Sequence, residues 1–232
     1  MYKKIGLAIS THNRPANIVD NVLYQWDTIL KSIGNDYVIV VVDDASNIPY
    51  KKATYRFNRN VGIAATKNKC IQLLYDLDCT DFFLSDDDVF PLNPKGITNY
   101  LETPFAHLCL SFNKGETKPI GQYAGHNIYD HINGCLLYLT RDVIDTVGGM
   151  RPEFGRWANE HLEYSNRIYN AGLTPYPYMD VPNNIINFYS YDYYGTIQGS
   201  VPEHIRRQMS VRNSELLKTY KDTKDYVDFK QL

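Results

Sequence analysis

The chain has 232 residues, of which 44% are hydrophobic and 22% charged, and its 24 basic and 26 acidic side chains leave a net charge of −2. This composition is typical of a folded globular domain; it excludes a disordered chain and gives no general electrostatic argument for nucleic-acid binding. No apolar run approaches the roughly 20 residues that a membrane span requires.

The first half of the chain alternates strand and helix patterns. Short apolar or β-branched runs predict strands, and apolar residues at helical spacing predict the helices between them. The predicted elements are strand 5–9, helix 18–33, strand 37–42, strand 55–57, helix 63–77 and strand 82–84. This alternation predicts an α/β fold with a mostly parallel central sheet flanked by helices.

The second half is less regular. Residues 106–140 are typical of mixed strands, and residues 175–200, rich in Tyr, Asn and Pro, of loops and short strands. Helices are predicted from Thr140 to Val147, from Glu160 to Ala171 and from about Pro202 to Tyr220. The chain contains no internal repeat or linker, so we expect a single domain.

Polar residues follow three of the predicted strands at the point where each strand ends: Thr11, then Asp43 and Asp44, then Asp86–Asp88. Because ligands of parallel sheets bind beyond the carboxyl ends of the strands, these side chains are expected in one cleft. Three adjacent carboxylates repel one another, and a divalent cation removes that repulsion. Oxygen ligands favour Mg²⁺ or Mn²⁺. The alternative is a solvated acidic turn, which the preceding buried strand disfavours.

The segment from Asn60 to Gly62 opens a predicted helix, and a helix N-terminus attracts anions. Lys67 lies about one turn inside that helix, on its polar side, where it can neutralise a diphosphate or simply be a surface lysine. Asp43 and Asp44 can accept hydrogen bonds from a ribose or a base, or one of them can cap a turn.

Taken in order, these segments resemble the signature of family-two glycosyltransferases with the GT-A fold. A last block resembles the family's Gly-Gly and Trp-Gly-Gly-Glu-Asp segments and is also similar to galactosyl- and N-acetylgalactosaminyltransferases. The resemblance covers about residues 4–172. Its segments are Thr11–Pro15, Val42–Ser46, Asn60–Asn68, Asp86–Asp88, Gly148–Phe154 and Trp157–Arg167.

The resemblance implies a nucleotide diphosphate sugar as donor and a metal held by Asp88 with help from Asp86, the family's Asp-X-Asp pair. Asp44 would accept the N3–H of uracil, which favours a UDP-sugar, although guanine or thymine can also be read by a carboxylate. The implied nucleotide-binding residues are Thr11, Asn13, Arg14, Asp43, Asp44, Asn60, Gly62, Lys67, Asp86 and Asp87.

Glu160 and His161 fall on the family's Glu-Asp pair, where inverting members place the catalytic base. Alignment favours His161 as base, whereas the chemistry of the retained acid favours Glu160, which we predict. The pair can instead bind the acceptor, or Glu163 and Arg167 can make this an ordinary salt-bridged surface helix. Related galactosyltransferases place a metal-binding histidine further along, but the stretch from Ile185 to Tyr191 has none, so a third metal ligand stays open.

We therefore expect a metal-dependent, inverting glycosyltransferase, with residues 1–100 as nucleotide-binding half, 101–200 as acceptor half and 201–232 as helical tail. A nucleotidyltransferase or an inactive sugar-binding module are the alternatives. A glycan, a lipid-linked sugar, a protein or hydroxymethylated phage-type DNA are all compatible acceptors, although the net charge does not indicate nucleic acid. Four cysteines without a C-x-x-C pair and an N-terminal apolar run too short for a signal peptide predict a cytoplasmic location.

Overall fold

The four strands predicted in the first half lie in one sheet, as the alternating pattern predicts. The computed structural model describes residues 3–112, 118–197 and 201–231; the predicted loop over 175–200 therefore ends, at residues 198–200, outside the described part. The strands are β1 (Lys4–Thr11), β2 (Asp36–Asp43), β3 (Tyr55–Arg56), β4 (Asp81–Asp86), β5 (Val89–Pro91), β6 (His107–Cys109), β7 (Gly121–Tyr123), β8 (His126–Ile128), β9 (Leu136–Thr140), β10 (Met179–Asp180) and β11 (Phe188–Ser190).

Of the six described α-helices, all but the third begin and end close to the predicted positions; the third was not predicted. The helices are α1 (Ala16–Ile33), α2 (Ile63–Asp76), α3 (Lys95–Leu101), α4 (Arg141–Val147), α5 (Glu160–Asn170) and α6 (Glu203–Thr219), with short 3-10 turns at Pro152–Phe154 and Asn184–Asn187. Gly34 ends α1 in the left-handed conformation that glycine adopts without strain. In the described part of the chain, no helix is long and apolar enough to cross a membrane.

The main sheet has the strand order β3-β2-β1-β4-β9-β6. Its first four strands are parallel, and β9 then pairs antiparallel with both β4 and β6. The predicted mostly parallel sheet flanked by helices is therefore confirmed. The carboxyl ends of β1, β2 and β4 meet at one edge, where Ser10 pairs with both Val42 and Asp86.

Both faces of this sheet are buried, which explains why its strands are apolar without alternation. Ala8, Val42 and Phe82 belong to the core cluster on the face covered by α2, α4 and α5. Leu7 and Phe83 belong to the cluster on the opposite face, which packs against α1 and α3. The sheet between these two layers is a rigid base for the residues at its carboxyl edge.

The chain after α6 packs back on the domain rather than extending the helical tail. Val227 pairs with Gly148, and a Cβ atom on Gly148 would overlap the Val227 carbonyl. Phe229 is 2% exposed and contacts Tyr75 with ring centroids 5.4 Å apart. This last segment thus belongs to the core around α2 and α5.

Candidate active site

The three polar strand ends share one cleft of about 1110 Å³ with the start of α5 and the first half of α6. Most of the residues that the sequence singled out line it. These are Thr11, Asn13, Arg14, Asp44, Asn60, Gly62, Asp86, Asp87, Asp88, Glu160 and His161. Asp43 and Lys67 do not, and both predictions are corrected below.

Asp87 is held by two side chains that follow β1. The Thr11 hydroxyl donates to its Oδ2 at 2.6 Å, and Arg14 Nε donates to its Oδ1 at 2.8 Å. Burial raises the pKa of Asp87, while Arg14 and the Thr11 hydroxyl act against that rise. Asp87 therefore links the β1 and β4 ends, and Thr11 is engaged with this carboxylate.

Asp88 is fixed by the chain after β11. Its Oδ2 accepts a 2.6 Å hydrogen bond from the Ser190 hydroxyl and a 3.1 Å bond from the Asp192 backbone N–H. Burial, and then repulsion from Asp86, raise the pKa of Asp88. Ser190 and Asp192 also line the cleft; no pattern in the sequence pointed to them, because they lie about 100 residues away along the chain.

The donor set formed by Asp86 and Asp88 fits a hard divalent cation, because carboxylates that repel one another are stabilised by a positive charge between them. The described residues contain no group of three or more His, Cys, Asp or Glu side chains placed to hold a metal ion. Two carboxylates therefore fit an ion that takes its other ligands from water or from substrate phosphates, as Mg²⁺ commonly does.

Lys67 is buried beneath the cleft, which corrects its predicted place on the polar face of α2. Its side chain is 1% exposed; Nζ donates to the Gly134 carbonyl at 2.7 Å and lies 3.2 Å from Asp86 Oδ1. Burial opposes its charge, but Asp86 and Glu160 outweigh burial and raise the pKa of Lys67. Lys67 is thus a buried counter-charge for two site carboxylates and does not reach into the cleft.

Asp43 has a structural role, which corrects its predicted contact with the nucleotide. It is fully buried and accepts hydrogen bonds from the backbone N–H groups of Ser46 and Tyr50, with Arg56 Nε at 3.2 Å. Burial raises the pKa of Asp43, but these donors outweigh it, so the net shift is downward. Asp43 is therefore the member of the Asp43–Asp44 pair that caps a turn.

Asp44 faces the cleft and holds the start of α2. Its two carboxylate oxygens accept hydrogen bonds from the N–H groups of Val61 and Gly62 at 2.7 and 2.9 Å. Gly62 has φ +91°, and a Cβ atom there would overlap the backbone of Gly155 and Arg156. The helix N-terminus is therefore occupied by a side chain of the protein, and Gly62 allows the loop before α5 to pack closely on it.

Glu160 and His161 form a contacting pair at the start of α5. Glu160 Oε1 lies 3.4 Å from His161 Nδ1, and His161 Nε2 lies 2.9 Å from the Ile132 carbonyl, to which it donates. Glu160 Oε2 is buried and has no hydrogen-bond partner within the described residues. Burial raises the pKa of Glu160, but His161 and Lys67 outweigh it, so the net shift is downward and the carboxylate is ionised at neutral pH.

The helix that carries this pair is not a surface helix, although its predicted Glu163–Arg167 ion pair is present. Arg167 Nε donates to Glu163 Oε1 at 2.9 Å, and both side chains are 0% exposed. Arg151 also donates to Glu163 at 2.9 Å. Glu163 thus joins α5 to the segment after α4 in the core, and this network holds the helix start that bears Glu160.

Several cleft residues were missed by sequence reasoning. His12 Nδ1 donates to the Asp44 carbonyl at 2.6 Å, and Arg156, Trp157 and Arg206 also line the cleft. Trp157 belongs to the segment Trp157–Arg167, which carries part of the resemblance. The tail that contains Arg206 is basic in the sequence, with Arg207 and Arg212 close by. No local pattern indicated that α6 would return to the site.

The site and fold together define the class: the chain has the GT-A fold, with acidic side chains at the carboxyl ends of its parallel strands. A Drosophila β1,4-galactosyltransferase 7 variant, solved with manganese, UDP-Gal and xylobiose, shares this fold with a TM-score of 0.60 and 16% identity, over 99% of this chain and 84% of that one. A mannosyltransferase from Pyrobaculum calidifontis, solved with GDP-Man and Mn²⁺, has a TM-score of 0.52 and 15% identity, over 94% and 70%.

At the sequence level, the chain is similar to an uncharacterized glycosyltransferase of Acanthamoeba polyphaga mimivirus. The two are 28% identical over 74% of this chain and 75% of the viral one. No family model matches the chain. These similarities confirm the predicted fold class and the resemblance to glycosyltransferases.

Proposed function

We propose that this protein is a metal-dependent glycosyltransferase that moves a sugar from a nucleoside diphosphate sugar to an acceptor hydroxyl with inversion. One observation carries the proposal: Asp86 and Asp88 share a GT-A cleft with Glu160, whose Oε2 is buried and unpartnered among the described residues. The glycosyltransferase relative and the two sugar-nucleotide complexes support the same reaction class.

The proposed donor is a UDP-sugar. The amides of Val61 and Gly62 use two of the roughly four lone-pair sites of the Asp44 carboxylate. A remaining site can accept the N3–H of uracil. UDP-Gal in the galactosyltransferase supports this donor, and GDP-Man in the mannosyltransferase makes a guanosine donor the competing outcome of the test.

Asp86 and Asp88 would hold the divalent ion, which when bound offsets the negative charge of the diphosphate. Burial raises the pKa of Asp86, and Lys67, whose Nζ lies 3.2 Å from Asp86 Oδ1, opposes that rise and holds the carboxylate in place. Ser190 and the Asp192 N–H bind Asp88 Oδ2, which would leave the other oxygen of Asp88 to hold the ion.

Glu160 is the proposed general base. The acceptor oxygen forms a bond to the anomeric carbon while the bond from that carbon to the diphosphate oxygen breaks, and its electron pair leaves with the diphosphate. The acceptor proton passes to Glu160 Oε2. His161 positions the carboxylate through Oε1, and because its Nε2 donates to Ile132, its ring is committed on both sides.

The test is a panel of sugar nucleotides with Mn²⁺ or Mg²⁺ and sugar acceptors, in which released nucleoside diphosphate and the stereochemistry of the product are measured. We expect turnover with one donor, loss of turnover with a chelator, and an inverted anomeric centre. A thermal-shift series with UDP, GDP and dTDP tests which nucleobase the protein binds. Stabilisation by GDP alone would indicate a guanosine diphosphate sugar as donor in place of the UDP-sugar. If no nucleotide binds, the proposed function is refuted.

A further inference from the structure

We propose that Arg206 of α6, assisted by Arg156, binds the diphosphate of the donor; this rests on the proposed function. The sequence assigned that task to Lys67, but Lys67 is 1% exposed and lies under the floor of the cleft. A positively charged side chain that contacts the diphosphate must therefore be sought among the other described residues of the cleft.

The cleft is strongly acidic, with six carboxylates in its lining: Asp44, Asp86, Asp87, Asp88, Glu160 and Asp192. A donor diphosphate adds further negative charge, which two-ligand metal coordination leaves partly uncompensated. The arginines in the lining are Arg14, Arg156 and Arg206. Arg14 is bound to Asp87 at 2.8 Å. Within the described ranges, Arg156 and Arg206 have no carboxylate partner, so their charges are available to a ligand.

Arg206 lines the cleft, and two neighbouring groups hold its guanidinium. Its Nε donates to the Val201 carbonyl at 2.9 Å, and its guanidinium carbon lies 5.6 Å from the centre of the Trp157 ring. One nitrogen and one face of the group are thereby used by the protein. The terminal nitrogens are left for a ligand, and a guanidinium fork binds phosphate oxygens in a bidentate manner.

The two arginines belong to segments that are locked together. Asn213 of α6 is fully buried, and the two N–H groups of its Nδ2 are shared among the carbonyls of Phe154, Trp157 and Ala158, at 2.7–2.8 Å. The loop that carries Arg156 and Trp157 is therefore fixed against α6. The same loop runs directly into Glu160, so diphosphate and base are positioned by one connected unit.

This arrangement gives Arg206 a role in the chemical step. When the bond from the anomeric carbon to the diphosphate breaks, negative charge accumulates on the leaving oxygen. A preorganised guanidinium stabilises that charge more than the charge of the intact donor, which raises kcat as well as affinity.

The experiment compares Arg206→Ala, Arg206→Lys and Arg156→Ala with Arg207→Ala. Arg207 is the matched control because it is the next residue on α6, exposed, and paired with Glu203 outside the cleft. UDP, UMP and uridine are titrated by calorimetry with Mn²⁺ and again with EDTA, and thermal unfolding confirms that each variant folds.

We expect Arg206→Ala to weaken UDP binding by about 10- to 100-fold, the cost of one charge-assisted contact. Uridine binding should change by less than about twofold, Arg206→Lys should recover part of the loss, and Arg207→Ala should match the parent protein. Equal losses for UDP and uridine, or an unchanged UDP affinity in Arg206→Ala, would overturn the proposal. If the parent protein binds UDP and only this pattern is missing, the proposed function still stands.

Discussion

Glu160 contacts His161 through one carboxylate oxygen, at 3.4 Å, and leaves its other oxygen buried with no hydrogen-bond partner in the described structure. His161 is bound on the far side to the Ile132 carbonyl at 2.9 Å, and its ring packs so closely on Gly134 that a Cβ atom there would overlap it. The acid thus keeps one oxygen without a partner among the described residues, whereas the histidine ring is held in place by the protein.

The first prediction concerns these two residues. Glu160→Gln should lower kcat by at least about 10²-fold with donor affinity retained, because an amide cannot accept the acceptor proton. His161→Asn should lower kcat less, since it disturbs only the orientation of the base, and should shift the acidic limb of the pH profile. The measurement is steady-state kinetics together with calorimetric donor binding.

Glu153→Gln, an exposed acid before the same loop, is the control for that series. An active Glu160→Gln beside an inactive His161→Asn would reverse the assignment of the base. Full activity in both variants would point to a retaining mechanism without a base of this kind.

The second prediction concerns Asp88, one of the two proposed metal ligands. Asp88→Asn should abolish the dependence of nucleotide binding on Mn²⁺, because the amide removes the charge that attracts the ion and because Oδ2 is already used by Ser190. Calorimetry of UDP with Mn²⁺ or EDTA measures this. Asp78→Asn, an exposed residue with φ +58° that asparagine tolerates, serves as control. Equal UDP affinity for Asp88→Asn and parent protein in Mn²⁺ would disprove the assignment.

The third prediction concerns backbone strain beside Glu160, the proposed base. Ala158 and Asn159 have φ values of +75° and +68°, a conformation that costs an alanine about 1–2 kcal/mol. Ala158→Gly should therefore raise the free energy of unfolding by about 1 kcal/mol, after the greater freedom of glycine in the unfolded chain is allowed for. Ala16→Gly, at an ordinary helical position, should lower it. Denaturant unfolding gives both values, and a destabilised Ala158→Gly would contradict the strain.

The fourth prediction uses a buried histidine of the core. Burial lowers the pKa of His107 to about 4, and its neutral ring fits its neighbours, with Nδ1 donating to the Tyr138 carbonyl and Nε2 accepting from the Ser165 hydroxyl. Between pH 6.5 and about 4 the unfolded chain binds a proton at this residue that the folded protein does not. Stability is therefore lost as pH falls through this window.

The expected loss is about 3 kcal/mol from this residue, by the conversion of pKa difference to free energy. The measurement is the difference in unfolding free energy between the parent protein and His107→Asn at several pH values, which cancels the contribution of other groups. The variant should be less stable at pH 7, and the difference should shrink toward pH 4. A difference that is constant with pH would show that His107 binds a proton as readily in the folded protein as in the unfolded chain.

The sequence by itself determined the layout of the fold. Strand and helix patterns reflect local burial and spacing, so these patterns alone placed β1, β2 and β4, together with Thr11, Asp44 and Asp86–Asp88 at their carboxyl ends. The order of the motifs also led to Glu160. These features depend on residues that are close in sequence, and topology rules bring the ends of parallel strands to one edge.

Only the tertiary structure decided which polar groups face the cleft. Lys67 and Asp43 look as available as their neighbours in the sequence, yet packing buries both, because Asp86 needs a counter-charge and the turn after β2 needs an acceptor. The position of Arg206 in the cleft could not be predicted from the sequence either, because it depends on Asn213, which fixes α6 to the loop before α5. Burial and pairing across such distances follow from the packing of whole elements, which no local pattern encodes.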